Sequence, residues 1–128
     1  MTMKSVDETL LFRRSRRRYT RDRISQDDMD FIYEAIRNTP TSYNGEQFTV
    51  IDIDDQDLKE KIYGLTNQKQ IKTCNHFLVF CADYHKIETA ARAKGIETGR
   101  FPAMADGYTV GVIDASLALM SALVAAES

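Results

Sequence analysis

The sequence predicts one domain in which helices and strands are mixed. Three observations carry this. Phe48–Ile53 (FTVIDI) and Phe77–Ala82 (FLVFCA) are short runs of strand type. Met29, Ile32, Tyr33 and Ile36 recur at the spacing of one helical face. Tyr108–Ser128 is a long apolar segment rich in Ala, Leu and Val. The length of 128 residues, with 43% hydrophobic and 28% charged, suits a single globular domain and argues against disorder.

In chain order, Val6–Phe12 is expected as a short helix running into an arginine-rich stretch. Ser25 reads as an N-cap, with Asp28 three residues on in the capping-box position. The apolar face from Met29 to Ile36 follows at i, i+3, i+4, i+7. Pro40 stops that helix, and Thr39–Gln47 (TPTSYNGEQ) is a polar loop rich in turn formers. Phe48–Ile53, β-branched and aromatic, is a strand. Asp54 or Asp55 then caps a short helix through Leu58 and Ile62, with Gly64 suited to its C-terminal end. Asn67–His76 (NQKQIKTCNH) is expected as a polar connection. The unbroken apolar run Phe77–Ala82 reads as a strand buried on both faces. Tyr84–Lys94 is expected as a helix, and Gly95–Gly107, which contains Pro102, as a mobile loop.

Tyr108–Ser128 is apolar nearly all round. A membrane span is the rival reading, given its length. Asp114, Ser116, Ser121 and the absence of a flanking basic cluster weigh against it. A buried central helix is the expectation. Such a helix needs cover on every side, it lacks a sequence signal for a C-cap, and two strands alone make a poor sheet. The sequence therefore implies further polypeptide or a partner.

The charge is unevenly distributed. The formal net charge is −2, yet residues 13–23 hold seven Arg against one Asp, a local +6 that leaves −8 for the rest. A solvated charged face is the plain explanation. A nucleic-acid surface would be opposed by the remaining −8, and no recognised motif supports one. A third reading is a site for one small phosphate-bearing ligand. Guanidinium groups bind phosphate through paired hydrogen bonds, and several can converge on one dianion. Cys74 and Cys81 are not a C-x-x-C pair and read as buried free thiols, so a reducing cytoplasm is the default. Met1–Thr9 is polar and does not read as a signal peptide. His76 and His85 lack partners at metal-ligand spacing, which argues against a metal site.

The stretch Arg13–Ile24 (RRSRRRYTRDRI) resembles the N-terminal signature of the nitroreductase family, Arg-Ser-x-Arg-x-Tyr/Phe-Thr. Pro40–Phe48 (PTSYNGEQF) is similar to that family's Pro-Ser/Thr-Ser-x-Asn loop. Asn67–Ile71 (NQKQI) resembles its glutamine-bearing segment, and residues 111–128 (GVIDASLALMSALVAAES) resemble its long central helix. Four motifs in order, over nearly the whole chain, make the resemblance fairly specific.

The resemblance implies an α+β fold, with helices around a central, mainly antiparallel sheet that is incomplete here. It implies that residues 1–128 are the N-terminal part of a single nitroreductase-like domain whose C-terminal half is absent. It implies an FMN-dependent oxidoreductase that passes electrons from NAD(P)H to nitroaromatic, quinone or flavin acceptors by a ping-pong mechanism. The alternative is a non-catalytic flavin-binding module or an inactive remnant. The expected partners are a second copy in a homodimer and a small-molecule acceptor, with no nucleic acid and no membrane.

By the same resemblance, Arg13, Arg14 and Arg17 match positions that hold the FMN phosphate and ribityl chain, and Ser15 matches the hydroxyl among them. Arg16, Arg18, Arg21 and Arg23 fall at variable positions, where a solvated face is the better reading; Arg23 stands where many members have proline. Ser42 and Asn44 match a loop that reaches the flavin bound mainly by the other subunit, although Asn44-Gly45 reads equally well as a plain turn. Gln68 matches a side chain that bonds the flavin ring edge. Gln47 is offset by one from the commoner spacing and is left out. No catalytic side chain is expected, because the cofactor carries the chemistry. Asp114, the one charge inside the apolar helix, is expected to pair with an arginine, and Tyr19 to lie in the core.

Overall fold

The computed structural model describes residues 4–99 and 104–128. Its elements are α1 (Val6–Phe12), α2 (Gln26–Arg37), β1 (Phe48–Ile53), α3 (Gln56–Thr66), α4 (Lys69–Thr73), β2 (Phe77–Ala82), α5 (His85–Ala93) and α6 (Ala105–Glu127); a 3-10 turn, Ser42–Asn44, precedes β1. Three helices begin on side-chain caps. The Ser5 hydroxyl accepts from the Glu8 amide at 3.2 Å while Glu8 accepts from the Ser5 amide at 2.9 Å, a complete capping box. Ser25 accepts from the Asp28 amide at 3.1 Å, and Asp55 from the Leu58 amide at 2.7 Å.

The strands pair antiparallel, from Phe48 opposite Ala82 to Ile53 opposite Phe77. Among the described residues they form a two-stranded sheet. Met29, Ile32 and Ile36 of α2 pack with Phe48 and with Ala115, Ala118 and Ala122 of α6 to form the core. On α6 the buried positions are Gly107, Gly111, Asp114, Ala115, Ala118 and Ala122. They recur every three or four residues, one face of a helix, and their small size lets α6 lie close to α2 and the sheet. The large side chains Tyr108, Ile113, Leu117 and Leu119 point outward and are exposed. The expectation of a buried central helix therefore holds for one face only. By length and composition α6 is also long and apolar enough to cross a membrane.

Several boundaries differ from the sequence reading. Gly64 lies inside α3, and Asn67, at φ 56°, supplies the left-handed C-cap. The polar connection after it folds into α4 around buried Ile71. Every residue of β2 is half-buried or exposed, because only one strand pairs with it, so burial on both faces is not observed. Cys74 and Cys81 are free but only half-buried. Tyr19 is 45% exposed rather than in the core. Residues 105–107 of the expected loop are helical, and its residues 100–103 lie outside the described residues. The missing C-cap of α6 is supplied from the other end of the chain: the Lys4 ammonium donates to the Glu127 carbonyl at 2.5 Å, and the Lys4 amide to the Ser128 carbonyl at 2.9 Å. A cation suits that end of the helix dipole.

Candidate functional site: an arginine segment and a clamped turn

Helix α1 ends at Arg13, whose amide donates to the Thr9 carbonyl at 3.2 Å and whose backbone then turns extended. From Arg13 to Ile24 every residue is exposed and none is in regular structure. Arg13, Arg14, Ser15 and Arg17 all lie on this segment. Among the described residues, no carboxylate forms an ion pair with any of its seven arginines. Like charges held this close repel, so a bound anion would relieve the segment. The segment is anchored near its far end, where Asn75 Nδ2 donates to the Asp22 carbonyl at 3.0 Å. Lys59, only 3% exposed, holds the anchor in place. Its ammonium donates to the carbonyls of Cys74 (2.8 Å) and Asn75 (3.0 Å). Burial pushes the Tyr19 hydroxyl above its ordinary pKa, the nearby Cys74 thiol adds to this, and Arg17 opposes it.

Ser42 and Asn44 lie in the turn before β1. Tyr43, Asn44 and Glu46 all have positive φ, at 58°, 53° and 49°. Non-glycine residues rarely adopt this region, and three of them in four positions need outside support. Asp114, fully buried, accepts from the Ser42 amide at 3.0 Å. Gln47, 4% exposed, donates to the Ser42 carbonyl at 3.3 Å. Thr41 Oγ1 accepts from the Glu46 amide at 3.2 Å. The turn thereby presents Tyr43, 92% exposed, and Asn44 to solvent. Among the described residues no arginine pairs with Asp114: its partner is the Ser42 backbone amide, supplied because α6 runs beneath the turn. Sequence reasoning also missed Gln47, whose burial follows from its place at the mouth of the sheet, where its carbonyl accepts from the Asp83 amide at 3.0 Å.

Gln68 is exposed at the start of α4, and its Oε1 accepts from Gln70 Nε2 at 2.7 Å. Helix α4 leads directly into Asn75, so Gln68 and the arginine anchor share one end of the sheet, beside Ile53 and Phe77. The Ser42–Asn44 turn is at the other end, beside Phe48 and Ala82. Strands of six residues separate the two ends by about 17 Å. A cavity of ≈430 Å³ opens beside the turn, lined by Tyr43, Gln47, Tyr84, Ile87 and Glu88 among others. The arginines of the segment can bind an anion, and Ser15, Ser42, Asn44 and Gln68 can form hydrogen bonds to a polar ligand. None can take up a hydride, so redox chemistry here would need a bound cofactor.

Comparison with known proteins places these features in context. The model of the nitroreductase family matches residues 10–128. The FMN reductase [NAD(P)H] of Bacillus subtilis is 36% identical over 98% of this chain and 51% of its own length. The oxygen-insensitive NADPH nitroreductase of Salmonella typhimurium is 30% identical over 98% of this chain and 50% of its own. Among solved structures, B. megaterium NfrA2 superposes with a TM-score of 0.92 at 33% identity, covering 98% of this chain and 51% of that one. The chain spans about half the length of the curated relatives it matches.

Proposed function

The chain belongs to the nitroreductase family and has its α+β fold, and from that premise we propose that it acts in an FMN-dependent oxidoreductase that takes electrons from NAD(P)H. The acceptors we propose are nitroaromatics, quinones or flavins, served in alternation with the reductant in one pocket. Residues 1–128 would form the N-terminal part of a single nitroreductase-like domain, working as a homodimer in the cytoplasm without nucleic acid or membrane. The relatives named for FMN or NADPH support the cofactors.

The observation that carries this reading is the exposed, unpaired arginine segment. Its donor set fits a phosphate dianion: guanidinium groups from Arg13, Arg14 and Arg17, with the Ser15 hydroxyl among them. Gln68 would bond the edge of the flavin ring, and Ser42 and Asn44 would meet a flavin held by the second chain. Gln68 lies at the end of the sheet away from the turn, about 17 Å along the strands, which supports that division. Bound FMN would supply the acceptance and release of hydride; the protein residues bind, orient and shield it.

The test is a fluorescence titration with FMN, with NADPH oxidation followed in parallel. Arg17→Ala should weaken FMN binding by about 2 kcal/mol, roughly thirtyfold, because a charge-assisted contact is lost. Arg18→Ala should have much less effect. Equal effects would show that the register of the motif is wrong. The second reading is a flavin-binding module without turnover, or an inactive remnant. A yellow protein that does not oxidise NADPH would support that reading.

A further inference from the structure

We infer that Asp114 and Gln47 are positioning residues that clamp the Ser42 peptide from both sides and so fix the course of the Ser42–Glu46 turn. The inference rests on the proposed flavin site, since it assigns the clamp the task of aiming Ser42 and Asn44 at the cofactor.

Asp114 Oδ1 takes the Ser42 N–H, and Gln47 Nε2 gives its hydrogen to the Ser42 C=O. Both hydrogen-bonding groups of one residue are thus held by buried side chains, one from helix α6 and one from the approach to β1. The Ser42 carbonyl also accepts from the Gly45 amide at 3.0 Å, so the clamp grips the residue on which the turn closes. Beyond Ser42, three non-glycine residues are held at positive φ, a conformation that relaxes unless its surroundings impose it. The fit around Gln47 is close: a Cβ added at Gly45 would come within 2.3 Å of Gln47 Nε2. A carboxylate with no exposure, in a helix face otherwise made of Gly and Ala, is a costly way to bury a residue. Holding the turn accounts for Oδ1; Oδ2 is buried without a hydrogen-bond partner among the described residues.

Three variants of the full chain test this: Asp114→Ala, Asp114→Asn, which keeps an oxygen acceptor for the Ser42 amide, and Gln47→Met, which keeps shape without the donor. Hydrogen exchange is followed at Ser42–Glu46 and, as an internal control, in β1 and β2; FMN affinity is measured alongside. Asp114→Ala and Gln47→Met should speed exchange in the turn at least tenfold with little change in the strands, and weaken FMN binding at least fivefold. Asp114→Asn should restore most of both. Unchanged turn exchange in the two disruptive variants, or faster exchange without loss of affinity, overturns the inference. If Asp114→Ala fails to fold, Gln47→Met and Asp114→Asn decide the matter. Should the unmodified chain bind no FMN, the flavin reading fails, and turn exchange alone decides whether the clamp exists.

Discussion

At the scale of single residues, much of the polar chemistry is buried and meets backbone. Lys59 is the clearest case. Its ammonium is satisfied by two carbonyls, so Lys59→Met would leave both without their charged donor. The expected loss is about 3 kcal/mol in urea unfolding, together with faster tryptic cleavage at Arg21 and Arg23 as the Asp22 anchor loosens. Tyr33 illustrates a different balance. Its hydroxyl donates to Asp52, which also bonds His76 Nδ1 at 2.8 Å. The Asp52 hydrogen bond, then burial, then the surrounding carboxylates push the Tyr33 pKa up to about 12. A phenol that holds its proton more tightly when folded stabilises the fold fully below its unfolded pKa, about 10. That contribution disappears as pH rises from there to about 12. Absorbance at 295 nm should show a tyrosine phase near 12, and Asp52→Asn should move that phase towards 10.

At the scale of elements, two helical glycines make opposite predictions. Gly64 lies in α3 with nothing within 4 Å of an added Cβ, so Gly64→Ala should stabilise by about 1 kcal/mol. At Gly111 the added Cβ would lie 3.0 Å from the Tyr84 ring and 3.1 Å from Ala82 Cβ. The Tyr84 hydroxyl is tied to the Gly107 carbonyl, which limits how far the ring can retreat. Gly111→Ala should therefore lose about 1 kcal/mol despite its better helix propensity. Thermal melts of the two variants read the difference directly.

The same elements show what the sequence discloses. Both strands and helix α2 were legible because their signals are local: alternating or continuous apolar runs, and a cap followed by periodic residues. Ser42, Asn44 and the arginines were legible as motifs. Asp114 as a turn anchor was not, since its partner amide lies 72 positions away. The cap on α6 was hidden for the same reason, because Lys4 sits 123 positions from Glu127. Helix α4 carries little sequence signal, because Ile71 is the one buried apolar position among its five residues.

At the scale of the molecule, apolar surface decides behaviour in solution. Val112, Ile113, Leu117, Leu119 and Met120 are 38–48% exposed along α6, and Leu11 and Phe12 of α1 more so. At about 25 cal/mol per Å², a few hundred Å² of such surface left in water forfeits several kcal/mol, comparable with the stability of a domain. The 128-residue chain should therefore self-associate in sedimentation at micromolar concentration, and Leu117→Glu with Met120→Glu should shift it towards monomer. A monodisperse unmodified monomer would contradict this.

If the arginines of one chain and the Ser42–Asn44 turn of another hold the same flavin, as proposed, that flavin is a ligand shared by two chains. Its retention then obeys the law of mass action for the dimer as well as for the cofactor. Dilution would release flavin even when flavin is in excess, and added flavin would draw chains together by binding only their assembled form. Cofactor supply and protein abundance would become interchangeable ways of setting how much active species is present.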